Sequence, residues 1–347
     1  MKNALQWAER GLLPDALIRT GIRKLLRHRI REIDPGDCQA RTQHLQHFIA
    51  SMDDSPIALH TQEANEQHYE LPPAFFEKVL GKHLKYSSCY YPTGRETLDE
   101  AEAAMLELYG ERAELADGMD VLELGCGWGS LTMWMAARYP QSRITAVSNS
   151  APQRLFIEAR CAERGLNNVR VITCDMNEFA AEGTYDRVVS VEMFEHLRNY
   201  RAMLKRVASW LKEDGKFFMH IFVHRQHPYL FEVKNDDDWM SKYFFTGGMM
   251  PSDDLLHYLQ DDFHLQGHWR VSGTHYARTA RHWLEKLDAQ QGAIDALFAE
   301  TYGPADSTIW RQRWRIFFMS CEELFGFDAG QEWWVSHYCL AKRAVNN

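Results

Sequence analysis

The chain has 347 residues, 45% of them apolar and 25% charged, a globular balance that excludes a disordered or low-complexity polypeptide. Its 39 basic and 48 acidic side chains leave a formal charge of −9, which disfavours nucleic acid as a main partner. No apolar run approaches the roughly 18 residues of a membrane-crossing helix, and Glu9, Arg10 and Asp15 break up the N-terminus too early for a signal peptide.

Residues 1–105 read as a helical region. The segment 16–33 has apolar residues at Leu17, Ile18, Ile22, Leu25, Leu26, Ile30 and Ile33 and basic ones at Arg19, Arg23, Lys24, Arg27 and Arg31. The favoured reading is a helix packed on its own domain with a solvated basic face. Peripheral contact with an anionic membrane and a homodimer contact through these helices are the other partners it leaves open. The cysteines at 38, 89, 126, 161, 174, 321 and 339 are scattered and form no C-x-x-C pair. They read as reduced thiols of a cytoplasmic protein, with no metal site expected.

From about residue 119 the pattern changes. Apolar runs at 120–124, 143–148, 169–174, 185–191 and 215–223 alternate with helical patterns near 130–138, 152–164 and 200–211. That alternation predicts an α/β fold with a mainly parallel, doubly wound sheet. Residues 224–262, rich in His, Asp and aromatics, read as an insertion. Runs at 263–271 and 332–341 add two strands suited to an antiparallel edge, with helices at about 278–302 and 305–326 between them.

The sharpest motif is Gly125-Cys126-Gly127-Trp128-Gly129, running from a strand that contains Glu123 into a helix. Glycines allow close backbone approach to a ligand, and a helix N-terminus presents free N–H groups. The spacing departs from the G-x-G-x-x-G of dinucleotide folds, since Ser130 takes the third glycine's place. It looks like the S-adenosylmethionine (SAM) loop of class I methyltransferases. No carboxylate closes the second strand, so Ser148 and Asn149 are left to meet a ribose; Asp175 and Met176, ending the third, suit an adenine ring, although Asp175 equally suits a helix N-cap. The fourth strand leads into Glu192-Met193-Phe194-Glu195-His196. If that stretch is helical, Glu192 shares a face with Glu195 and His196, making a small anionic and basic pocket.

Several segments carry a closer resemblance: LELGCGWGSL, VSVEMFEHLRNY, DDDW with KYFFTGGMMPS, HYARTARHWL and WRIFFMSCEELFG. The chain resembles the cyclopropane fatty acid synthase family of SAM-dependent enzymes, and within it the branch of coclaurine N-methyltransferases with their pavine and tetrahydroprotoberberine relatives. The resemblance implies a class I methyltransferase (Rossmann-like) fold with a seven-stranded sheet. An N-terminal helical region (1–105) would cover the cofactor site, and a SAM-binding domain (106–347) would carry cap insertions at about 224–262 and 278–326. It implies SAM held by Gly125, Gly127, Gly129, Ser148, Gln153, Asp175 and Met176, with Asn149 beside them and Tyr86 and Ser87 as cover. Glu195, His220 and Tyr276 match positions that hold bicarbonate in the cyclopropane synthases. A fourth position, a Cys there, is Ser88 here, and the lipid enzymes have Gly where this chain has Glu192.

The implied activity is N-methylation of a small, aromatic or isoquinoline-like amine. Alkylammonium groups with pKa near 10 are protonated at neutral pH. Glu192 would therefore attract the cation, His196 would act as general base, and Glu195 would orient His196 or reach the amine through water. The expected substrate wall is Tyr69, His220, Trp239, Phe244, Tyr276 and Phe318, with Phe245, Trp310 and Trp314 as further aromatic candidates. The rival reading is a cyclopropane synthase acting on unsaturated lipid chains.

Overall fold

The computed structural model describes residues 2–59, 71–232 and 239–343. Among the described residues five helices come first: α1 (Lys2–Glu9), α2 (Asp15–Ile33), α3 (Cys38–Asp53), α4 (Pro73–Val79) and α5 (Leu98–Arg112). The start of α5 is set by a capping box, Thr97 accepting from the Glu100 N–H while the Glu100 carboxylate accepts from the Thr97 N–H.

The alternating region folds as β1 (Asp120–Leu124), α6 (Ser130–Arg138), β2 (Arg143–Ser148), α7 (Ala151–Arg164), β3 (Val169–Thr173), β4 (Tyr185–Val191), α8 (Tyr200–Trp210) and β5 (Leu211–His224). The insertion holds β6 (Tyr229–Leu230), the short helix α9 (Trp239–Tyr243) and β7 (Met249–Met250). The chain continues with β8 (Phe263–Val271), α10 (Gly273–Ala289), α11 (Gln291–Tyr302), α12 (Ser307–Phe325) and β9 (Trp333–Lys342).

The seven-stranded sheet has the order β3-β2-β1-β4-β5-β9-β8. Its first five strands run parallel and β9 and β8 pair antiparallel at the edge. This is the class I methyltransferase architecture. Four strand spans, those of β1, β2, β4 and β8, coincide with the apolar runs in the sequence. Three features differ. The helix expected over 278–302 is two helices meeting at Gln290, and α10 begins earlier, at Gly273. β5 starts at Leu211, directly at the end of α8, so polar residues there lengthen it beyond its apolar run. The insertion carries a two-stranded ladder, β6 with β7, too short to leave a period-2 pattern.

The basic face of α2 is partly used inside the chain. Arg19 pairs with Glu322 at 2.7 Å and Glu323 at 3.0 Å on α12, and Arg23 with Glu323 at 2.9 Å. Ile18 and Ile33 are buried, while Leu17 and Leu25 stay exposed. No helix among the described residues is long and apolar enough to cross a membrane. The segment after α3 returns beside the sheet: Ala58 bridges Leu197, and Arg198 donates its N–H to the Ile57 carbonyl at 2.7 Å. That contact brings Ala58 and Leu59 to the rim of the cleft described next.

Candidate active site

A cleft with about 1160 Å³ of empty space opens at the carboxyl ends of β1, β2 and β4. The glycine loop is its floor. Gly125, Gly127 and Gly129 all have positive φ, at 78°, 51° and 79°. A Cβ on Gly125 would lie 2.7 Å from Met193 and one on Gly129 2.7 Å from Ile157, whereas one on Gly127 would meet nothing within 4 Å. Gly127 thus leaves the backbone open to a ligand, and its two neighbours are demanded by packing. Gly129 does not line the cleft. Glu123 joins the lining, its carboxyl accepting the Thr132 hydroxyl at 2.5 Å, and burial pushes that carboxyl up to about 8.

The other expected cofactor residues gather here. Tyr86, Ser87, Ser148, Asn149, Gln153, Asp175 and Met176 all line the cleft. Ser148 donates its hydroxyl hydrogen to Gln153 Oε1 at 2.7 Å, which fixes the amide, and the Asp175 carboxylate accepts the Asn177 N–H at 2.7 Å, a turn-forming bond. Three polar atoms in the lining, Trp128 Nε1, Ser130 Oγ and Gln153 Nε2, are buried with no partner among the described residues.

The reactive segment is not a helix. Glu192 sits at φ +47° and is followed by a single 3-10 turn, Phe194–His196. The left-handed residue turns the Glu192 side chain into the cleft lining, where three donors hold its carboxylate. The Ser88 N–H and His220 Nε2 reach Oε1 at 2.9 and 3.0 Å, and the Tyr276 hydroxyl donates to Oε2 at 2.6 Å. His220 and Tyr276, expected as substrate wall, therefore act on Glu192, and neither lines the cleft. Burial pushes the Glu192 carboxyl above its ordinary range, opposed first by the nearby Lys85 and then by the Tyr276 and Ser88 bonds.

His196 lines the cleft with its ring stacked on Phe245, centroids 4.7 Å apart and planes at 17°. Burial pushes its imidazole down to about 4, so it is neutral at pH 7. Glu195 is buried outside the cleft lining, and neither of its carboxyl oxygens has a hydrogen-bond partner among the described residues. It therefore does not orient His196 by a hydrogen bond. Burial, with the Glu192 charge beside it, drives its pKa well up and so favours the neutral acid.

The remaining substrate candidates are placed elsewhere. Phe244 stacks on Phe317 at 4.4 Å and meets Trp314 edge-on, Trp239 donates from Nε1 to Glu9 at 3.0 Å, and Phe318 packs on Trp283 and Trp314. None of the three lines the cleft; they are the core of the helical cap. Tyr69 lies outside the described residues. Sequence reasoning missed Lys85 and Thr246, both in the lining. Lys85 is buried, donating from Nζ to Ser87 Oγ at 2.5 Å and to the Ser88 carbonyl at 2.6 Å, and so braces the segment whose N–H holds Glu192. A lysine in a short aromatic run carries no local mark of that role.

The family model of the mycolic acid cyclopropane synthetases matches residues 58–331. The chain is 38% identical to the (S)-coclaurine N-methyltransferase of Thalictrum flavum subsp. glaucum over 343 residues, 98% of this chain and 95% of that protein. A crystal structure of a coclaurine N-methyltransferase bound to N-methylheliamine and SAH is similar at a TM-score of 0.95 and 36% identity, covering 98% of this chain and 99% of that one. The cyclopropane-fatty-acyl-phospholipid synthase of Escherichia coli (strain K12) is 31% identical over 239 residues, 68% of this chain and 59% of that protein. Sheet order, glycine loop and near full-length identity agree: this chain belongs to the mycolic acid cyclopropane synthetase family of SAM-dependent methyltransferases and groups there with the coclaurine N-methyltransferases.

Proposed function

We propose that the protein transfers a methyl group from SAM to the amine nitrogen of a small, isoquinoline-like substrate. The observation that carries this reading is the Glu192 carboxylate. A carboxylate offers about four acceptor positions; Ser88, His220 and Tyr276 take three and leave one for a cationic ligand in the cleft that Glu192 lines.

The lining fits the cofactor. Its unpartnered Ser130 hydroxyl, Gln153 amide and Trp128 indole N–H suit a polar ligand, and Gly127 admits close approach. Ser148, Asn149 and Gln153 would hold the ribose and methionine portions, Asp175 and Met176 the adenine, and Tyr86 and Ser87 would cover them. When bound, SAM supplies a methyl group on a sulfonium, an electrophile open to in-line displacement.

The rest is done by the chain. Glu192 binds the substrate ammonium and holds its nitrogen in register. His196, neutral at pH 7, has a lone pair for the proton that must leave before the nitrogen can attack; burial weakens it as a base, and the Glu192 charge works against that. Phe245 fixes the imidazole plane by stacking. Glu195, its pKa driven up by burial and by the Glu192 charge, is disfavoured as a second anion beside Glu192. The lipid-cyclopropanating reading loses support, because His220 and Tyr276 are already engaged by Glu192. The test is incubation with isotopically labelled SAM and, separately, a panel of benzylisoquinoline and simpler amines and vesicles of unsaturated phospholipid. Mass spectrometry is expected to find a methylated amine. Methylene addition to the acyl chains, with no amine product, would overturn the reading.

A further inference from the structure

Behind Glu192 runs a chain of buried side chains for which the reaction just described has no use. Arg112, at the end of α5, donates from Nη1 to His337 Nδ1 at 2.8 Å. His337 Nε2 lies 2.9 Å from His220 Nδ1, the two residues being direct partners across β5 and β9. His220 Nε2 then meets Glu192 Oε1 at 3.0 Å. A second chain ends on the same His220 Nδ1. It is short: the Tyr109 hydroxyl is 2.8 Å from Nδ1.

The first chain begins at a guanidinium that can only donate. The Arg112 guanidinium makes His337 Nδ1 an acceptor. Burial keeps His337 and His220 neutral, so each ring carries one hydrogen. The hydrogen of His337 must then sit on Nε2 and point at His220 Nδ1. The Tyr109 hydroxyl, 2.8 Å away, aims its own hydrogen at the same nitrogen. With two donors aimed at Nδ1, His220 carries its hydrogen on Nε2.

We propose that Arg112, acting through His337, and the Tyr109 hydroxyl converge on Nδ1 and lock His220 as the Nε2–H tautomer facing Glu192, making His337 and Tyr109 positioning residues for the methyl-transfer site. The inference rests on Glu192 as the group that receives the substrate ammonium. The opposite tautomer would set the His220 Nε2 lone pair 3.0 Å from a carboxylate oxygen. Glu192 would relieve that contact by taking up a proton, losing the charge that draws the amine. The Arg112 chain does not conduct protons outward, since the guanidinium at its far end does not accept one; the device holds a charge in place.

One lone pair needs only one donor, so the two chains back each other up. The test compares wild type with His337→Leu, Tyr109→Phe, the double variant, and His337→Gln combined with Tyr109→Phe, where the glutamine amide restores a donor. Two readouts are taken: the His220 tautomer by 15N NMR of histidine-labelled protein, and kcat/KM for the amine, with SAH affinity by calorimetry as the check that the cleft is intact. His220 is expected to carry its hydrogen on Nε2 in wild type. Each single variant should lower kcat/KM by roughly two- to tenfold, the worth of one hydrogen bond. The double variant should lose the tautomer and more activity than the product of the single losses, with SAH affinity kept, and the glutamine should restore both. A wild-type His220 with its hydrogen on Nδ1 would overturn the inference, as would a double variant with an unchanged tautomer or merely multiplicative losses. If wild type methylates no amine yet shows the Nε2–H tautomer, it is the proposed function that fails and the lock that stands.

Discussion

A glutamate in the left-handed region costs about 1–3 kcal/mol and persists only where its surroundings over-determine it. At Glu192 they do. Its N–H is held by the His220 carbonyl at 3.0 Å, and its carboxylate by three donors from the Ser88 backbone, β5 and α10. The pKa shifts set the order in which the site loses function on acidification. Glu192, raised by burial, takes up a proton before His196, which burial lowers to about 4. The acid limb of kcat/KM is therefore expected to report Glu192, with activity falling as pH drops through its raised pKa. In Glu192→Gln that limb should vanish, and the residual rate should stay level until pH approaches 4; a limb that persisted near 6.5 would assign it to an ordinary imidazole instead. His196→Ala is expected to lower kcat by roughly 10²- to 10⁴-fold, the usual weight of a general base, while calorimetry shows SAH binding unchanged. Equal loss of both would make the residue structural. Glu192 and His196 were legible in the sequence because they follow a strand whose carboxyl end faces the ligand crevice. Lys85 and His337 were not, because their work depends on partners far along the chain.

At the scale of elements, the junction of β1 and α6 carries the cofactor reading. Gly129 is the residue before α6, and both its φ of 79° and the 2.7 Å approach to Ile157 exclude a side chain. Gly129→Ala is expected to cost about 1–3 kcal/mol and to weaken SAH binding by calorimetry, because the loop must shift away from α7. The spans of β1, β2 and β4 were readable because strands buried on both faces leave continuous apolar runs. The split between α10 and α11 was passed over: Gln290 leaves helical φ/ψ at −113° and 25°, and its local sign is Gly292, a weak helix former two residues on. Nor was the turn after β4 readable, where the i, i+3 and i, i+4 spacings suggested a helix. The left-handed Glu192 overrides that periodicity, and the three polar residues are placed by the turn.

Across the whole molecule, the cap and the N-terminal helices close on the sheet as one aromatic core. Phe244 is wholly buried within it, stacked on Phe317 and edge-on to Trp314. Phe244→Ala is expected to lower stability by about 3–5 kcal/mol through the cavity it leaves, read as a lower urea midpoint. KM for the amine should stay unchanged, and a raised KM at unaltered stability would return this ring to the substrate wall. Phe245, one residue on, stacks on His196, and only packing separates the two roles. The order of strands and helices, the glycine turn and the acid–base segment follow from local pattern, since period, turn chemistry and steric demand act over a few neighbouring residues. The grip of His220 and Tyr276 on Glu192, the raised pKa of Glu195 and the burial of Trp239, Phe244 and Phe318 away from the cleft belong to the folded chain alone. Hydrogen-bond partners and solvent exclusion come from segments far apart along the chain, 117 residues between His220 and His337 and 230 between Glu9 and Trp239, and no local pattern records which segments will meet.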